Sequence, residues 1–138
     1  MKTFSLKVLG RPAPKGSMKA MPDRSGLRYS IMMNSSKKTT PWELTVRLNA
    51  KQIWHEQPLT CGCTAIIWFF FKRPKSVKRS RHTVRPDIDK LARTILDALT
   101  GVVFKDDSQV YQLMVIKQYG NYDGAIIEIT PDENARGD

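Results

Sequence analysis

Val84 to Gln109 reads VRPDIDKLARTILDALTGVVFKDDSQ. Ile88, Leu91, Ile95 and Leu99 recur at helical spacing, which predicts a helix from about Ile88 to Leu99 that stops at Gly101. Pro86 pushes Arg85 toward extended backbone, so the helix begins after it. Such a one-sided helix needs a sheet to cover, and both flanks supply strands. Upstream, Cys61 to Phe71 is rich in β-branched and aromatic residues without clean alternation, which predicts a central strand covered on both faces. Downstream, Val110–Tyr119 and Ala125–Thr130 predict two strands joined as a hairpin through GNYDG.

Toward the N-terminus, Phe4, Leu6 and Val8 alternate with polar residues, as a strand requires. Residues 10–26 hold three Pro and three Gly and are expected to break any regular element, with a short strand following over Leu27–Met33. Thr39 or Thr40 offers an N-cap, Pro41 suits the first turn, and Glu43 completes a capping box, so a second helix is predicted from Pro41 to Gln57, before Pro58. Its apolar stripe would be Trp42, Val46, Ala50, Ile53 and Trp54. The order β-β-α-β-loop-α-β-β implies an α+β (α/β layered) fold, with two helices on a mixed or mostly antiparallel sheet of four to five strands. The 138 residues suit one domain, 1–138, with 72–86 a mobile basic loop and 131–138 a frayed tail.

The net charge of +10 is local. Lys72, Arg73, Lys75, Lys78, Arg79, Arg81 and Arg85 crowd one acid-free stretch, and without them the rest of the chain carries only +3. A concentrated patch recruits a polyanion, and nucleic acid fits best. An anionic membrane fits poorly, because Pro74 and the shortage of large apolar residues rule out an amphipathic interfacial helix. Cys61 and Cys63 form no disulfide framework and read as small buried hydrophobes, which suits a cytoplasmic chain. No apolar run is long enough to span a bilayer, and MKTFSLKVLG lacks the apolar core of a signal peptide.

Asp87 and Asp89 open the predicted helix, and Asp106 and Asp107 follow it. In an extended segment residues i and i+2 point the same way, so Asp87 and Asp89 can reach one ion. The bland alternative makes all four aspartates caps of helix or turn, with Ser108 and Gln109 completing the second. Bringing Asp107 to the first pair requires the chain to fold back along a helix about 18 Å long. Magnesium takes oxygen ligands and is held by one or two carboxylates plus substrate phosphate, which suits three aspartates beside a phosphodiester. Arg93, one turn after Asp89, either pairs with Asp97 or neutralises charge in a phosphoryl-transfer transition state. His55 and His82 fit no histidine–metal nuclease motif, and His55 reads as solvated.

The stretch RPDIDKLARTILDALTGVVFKDDSQV resembles the signature of the RusA family of Holliday junction resolvases of bacteria and their phages, in which D-[LI]-D-N-L-x-K-x-x-x-D-A-L precedes D-D-x-Q-[VI]. The resemblance implies a magnesium-dependent endonuclease, with manganese as a substitute, that acts as a homodimer and nicks opposing strands of a four-way DNA junction in recombination and repair. It places the metal-binding carboxylates at Asp87, Asp89 and Asp107, with Asp97 second in line. Two positions depart from the pattern: Lys90 stands where the family has Asn, and Arg93 where it has its catalytic Lys. Arginine keeps the charge but does not release a proton, so electrostatic stabilisation survives while general-acid duty passes elsewhere, with Lys90 an available amine. Lys90 also joins the basic loop as a candidate DNA contact. The competing reading is a non-catalytic DNA-binding module whose aspartates are caps.

Overall fold

The computed structural model describes residues 2–22, 29–34 and 39–132, with 17–22 and 29–34 described as backbone alone. The elements are β1 (Phe4–Leu9), β2 (Ser17–Pro22), β3 (Tyr29–Asn34), α1 (Thr39–Ile53), β4 (Cys63–Lys72), α2 (Ile88–Leu99), β5 (Val110–Gly120) and β6 (Gly124–Pro131). A 3-10 turn over Asp107–Gln109 leads into β5. Four strands form a mixed sheet in the order β1-β6-β4-β5, and β2 and β3 form a separate antiparallel ribbon. This is the α+β layout expected. The helix predicted over Ile88–Leu99 is α2, residue for residue.

The two C-terminal strands are not a hairpin. β4 lies between them, parallel to β5 and antiparallel to β6. Four Cα steps from Gly120 to Gly124 reach about 13 Å, enough to cross two strand spacings of roughly 4.8 Å. The most apolar strand thereby takes a position with both edges hydrogen-bonded. At Gly124 a Cβ would stand 2.6 Å from the Val8 carbonyl oxygen, so the crossing runs against β1 where only glycine fits.

Burial alternates along β4: Cys63, Ala65, Ile67, Phe69 and Phe71 are buried, whereas Ile66, Trp68 and Phe70 are half-exposed. One face of β4 is therefore fully covered, not two. The sequence hides this because both faces are apolar. Against the buried face α1 sets Trp42, Val46 and Ala50, and α2 sets Leu91, Ile95, Ala98 and Leu99. Leu91, Ile95 and Leu99 are all at 0% exposure, each contributing roughly 1.5–3 kcal/mol through burial.

Three local expectations give way. β2 lies inside the stretch expected to be irregular; Ser17–Pro22 pairs with Tyr29–Asn34 despite the prolines and glycines around it. Leu27 and Arg28 lie outside the described residues. The first helix begins at Thr39 and stops at Ile53, not Gln57, leaving Ile53 46% exposed while Trp54 is buried just beyond. Glu43 forms no capping box with Thr40: its carboxylate accepts from Lys15 Nζ at 2.7 Å, a charged partner distant in sequence. At the other end, Pro131 still pairs with Cys63 and the Asp132 N–H donates to the Gly62 carbonyl at 2.9 Å. Residues 133–138 lie outside the described residues.

Candidate active site

Asp87 is the N-cap residue of α2, in extended backbone, yet its side chain makes no capping hydrogen bond. Its carboxylate lies 3.6 Å from Lys90 Nζ. Capping therefore does not explain this aspartate. The chain just ahead of it is clamped by Lys117 of β5, whose ammonium donates to the carbonyls of Val84 at 2.7 Å and Pro86 at 2.9 Å. Burial lowers the Lys117 pKa, against an opposing pull from the Asp87 charge. Sequence reasoning missed Lys117, although its parity with Leu113 and Val115 placed it on the helix-facing side of the strand.

Asp106 and Asp107 have different fates. Asp106 caps the 3-10 turn: its carboxylate accepts from the Ser108 N–H at 3.0 Å, and its own N–H donates to Gln109 Oε1 at 2.8 Å. The Ser108 hydrogen bonds hold its pKa below the ordinary carboxylate value. Gln109 Nε2 also donates to the carbonyls of Leu59 at 2.7 Å and Cys61 at 2.9 Å, pinning the turn to the segment that enters β4. For Asp106 the cap reading holds. Asp107, one residue on, is left exposed and unpaired by any salt bridge among the described residues.

Asp107, Asp89 and Arg93 line one solvent-open cavity of about 460 Å³ between α2 and β5, with Leu113 and Val115 on its strand side. Asp87 is not on its wall. Among the described residues no group of three or more His, Cys, Asp or Glu side chains is placed to hold a metal ion. Two of the three proposed carboxylates thus share a cavity, with a cation beside them. Two carboxylates plus a substrate phosphate satisfy what magnesium ordinarily takes from a protein.

Asp97 is engaged elsewhere. It lies 3.1 Å from Lys15 Nζ, which also meets Glu43. Burial alone would lower the Lys15 pKa, but the two carboxylates outweigh it and hold the amine above its ordinary value. Arg47 Nη2 donates to the Asp97 carbonyl at 3.0 Å. This cluster ties α1 to α2 and takes up Asp97, one of the two partners the sequence offered Arg93.

All seven cations of residues 72–85 are exposed, and Lys90 is half-buried. The loop has one buried member, His82, whose ring stacks on Phe71 at 4.3 Å and packs against Tyr119 at 5.0 Å. Burial, with Lys117, Arg79 and Arg11 nearby, lowers the His82 pKa below its ordinary 6.5. His55 is exposed, as expected. Cys61 and Cys63 are buried, and burial pushes Cys63 up to about 11, which keeps it protonated and inert. No helix among the described residues is long and apolar enough to cross a membrane.

The family described as Endodeoxyribonuclease RusA matches residues 11–130. The chain belongs to the RusA family. RusA membership makes it a member of a nuclease family and agrees with the mixed sheet, the two helices and the paired aspartates around α2. A curated relative, the uncharacterized protein YqaN of Bacillus subtilis (strain 168), is 29% identical over 131 residues, covering 86% of this chain and 89% of its own length.

Proposed function

We propose that this RusA-family chain is a magnesium-dependent endonuclease that resolves four-way DNA junctions by paired nicks in recombination and repair. The observation that carries this reading is the cavity shared by Asp89, Arg93 and Asp107. Asp89 and Asp107 would hold the ion, with Asp87 close by at the helix start. The ion, when bound, polarises the phosphoryl oxygen and lowers the pKa of an attacking water. Arg93 presents a permanent positive charge to the phosphoryl group as negative charge develops, a role that needs no proton release. The basic loop draws the DNA backbone onto the same side, and Lys117 holds the entrance to α2 so that both of its aspartates keep their positions. Manganese would serve as a substitute ion.

A homodimer supports paired nicking, because one two-fold axis can match the approximate symmetry of a junction. The edge strand β5 offers a surface for a second copy: Tyr111, Leu113 and Met114 are exposed at 64%, 43% and 52%. An uncovered apolar edge of this kind ordinarily pairs or is protected. The cytoplasm is the expected site of action.

The test is incubation of the purified protein with a labelled synthetic junction, with and without Mg²⁺, beside Asp89→Asn and Asp107→Asn. Loss of cutting with retained junction binding supports the reading. Full cutting by both variants refutes the metal assignment, and binding without any cutting by the wild type favours the non-catalytic module.

A further inference from the structure

A second cavity of about 460 Å³ opens where β4 and β5 end, lined by Lys72, Arg73, Ser80, Tyr119, Gly120 and Asn121. Among the described residues no acidic side chain lines it. The nearest acid along the chain, Asp123, is occupied: its Oδ1 accepts from the Lys72 N–H at 2.8 Å and lies 3.6 Å from Arg11. The walls are held in place. Arg73 donates to the Arg79 carbonyl at 3.5 Å, the Arg79 guanidinium lies 5.8 Å from the Tyr119 ring, and His82 is wedged between Tyr119 and Phe71. Two cations, a hydroxyl and an amide around a fixed concavity make a receptor for an anion with several acceptor oxygens.

The two cavities lie on one face of one strand. Val115 lines the first and Tyr119 the second, and both point to the helix side of β5, because they pair with the buried residues Ile67 and Phe71 of β4. Four residues of strand separate them by about 13 Å. Phosphates of one strand advance roughly 3.4 Å along the duplex axis per nucleotide and also wind around it, so a gap of this order spans only a few nucleotide steps. We infer that the cavity at Lys72, Arg73, Ser80 and Asn121 holds one backbone phosphate of the DNA strand, a few nucleotides from the phosphate presented to Asp89 and Asp107. This rests on the nuclease reading above and adds a fixed register to it. The pocket works as a ruler, setting how far the cut lies from the point of capture.

The experiment is a neutral-linkage scan. A four-way junction carries a single methylphosphonate at each of the eight positions on either side of the cut, and binding is measured without divalent metal. For the wild type, one position a few steps from the cut weakens binding by roughly tenfold, as expected for loss of a charge-assisted contact. In Lys72→Gln that position-specific loss disappears, whereas in Lys75→Gln, which removes a charge outside the pocket, it persists. Asn121→Asp, a change at an exposed turn residue, weakens binding and erases the same positional signal. A scan whose losses are identical in wild type and Lys72→Gln overturns the pocket assignment. Competition by millimolar inorganic phosphate with no positional signal identifies a free-anion site and overturns it as well. Absence of any junction binding by the wild type defeats the nuclease reading itself, a distinguishable result.

Discussion

Replacing Gln109 with Ala tests how Asp107 is placed. The amide of Gln109 makes three hydrogen bonds, to the carbonyls of Leu59 and Cys61 and from the N–H of Asp106, at 2.7, 2.9 and 2.8 Å. The two carbonyl contacts are half-buried and the third is exposed, so the net loss is near 1 kcal/mol for each of the first two and less for the last, about 2–3 kcal/mol in all. In urea, with a slope of roughly 1–3 kcal/mol/M, the unfolding midpoint falls by about 0.7–3 M. Asp107 also loses the anchor that aims its backbone at the cavity, so junction cleavage is expected to drop roughly ten- to a hundredfold, as when the support of a metal ligand is removed. Gln109→Glu is expected to do no better, since a carboxylate facing two carbonyls repels where the amide donated. Urea melts and single-turnover cleavage at a concentration that keeps the protein folded separate the two effects. If Gln109→Ala melts within about 0.5 kcal/mol of the wild type and cuts at full rate, the turn is not what holds Asp107.

His82 is held neutral by burial, with its pKa below the ordinary 6.5, so the unfolded chain binds more protons than the folded one once the pH falls below that value. Its contribution is complete above pH 6.5 and is lost as the pH falls toward the folded pKa; His82→Phe, which keeps the stack on Phe71 and Tyr119, is expected to flatten the melting temperature between pH 6.5 and 5, and equal slopes would refute this. Lys15→Met leaves Glu43 and Asp97 side by side on α1 and α2 and is expected to cost about 1–2 kcal/mol in urea, discounted because all three side chains keep partial exposure; adding Glu43→Gln should recover part of it. Arg93→Ala is expected to slow cleavage roughly a hundredfold or more, with Arg93→Lys slowing it less and junction binding measured without metal changing little in either.

Local patterns were legible and choices of partner were not. The stripe Ile88, Leu91, Ile95 and Leu99 fixed α2 because helical spacing is a property of neighbours in sequence. The hairpin through GNYDG failed because a turn sets chain direction without selecting the strand alongside, and β4, apolar on both faces, claimed the place between β5 and β6. Glu43 was assigned a local partner at i−3 and Asp97 had one on offer at i−4, when a single lysine far up the chain satisfied both. His82 gave no motif signal at all. Its role comes from where Phe71 and Tyr119 stand on adjacent parallel strands, a register that one strand's sequence does not contain.

The cavity shared by Asp89 and Asp107 shows why a motif can be read before its geometry. A helix of 12 residues, about 18 Å long, separates the two aspartate pairs if they are imagined at its opposite ends. The chain avoids that separation by returning alongside α2. Gly101, at φ 83°, turns the backbone, and Val102, Val103 and Phe104 are buried as a plug under the turn. Leu59 fastens this plug, its N–H donating to the Val103 carbonyl at 2.8 Å and its carbonyl accepting from Lys105 at 3.2 Å. β5 then runs beside the helix, so the cavity is a groove along α2 reached by Asp89 and Arg93 on one wall and by Asp107 from the turn. The spacing of the aspartates in sequence therefore measures the length of the plug and helix, not the distance across the site. Lengthening the 101–105 turn would leave every motif residue intact and still separate the carboxylates.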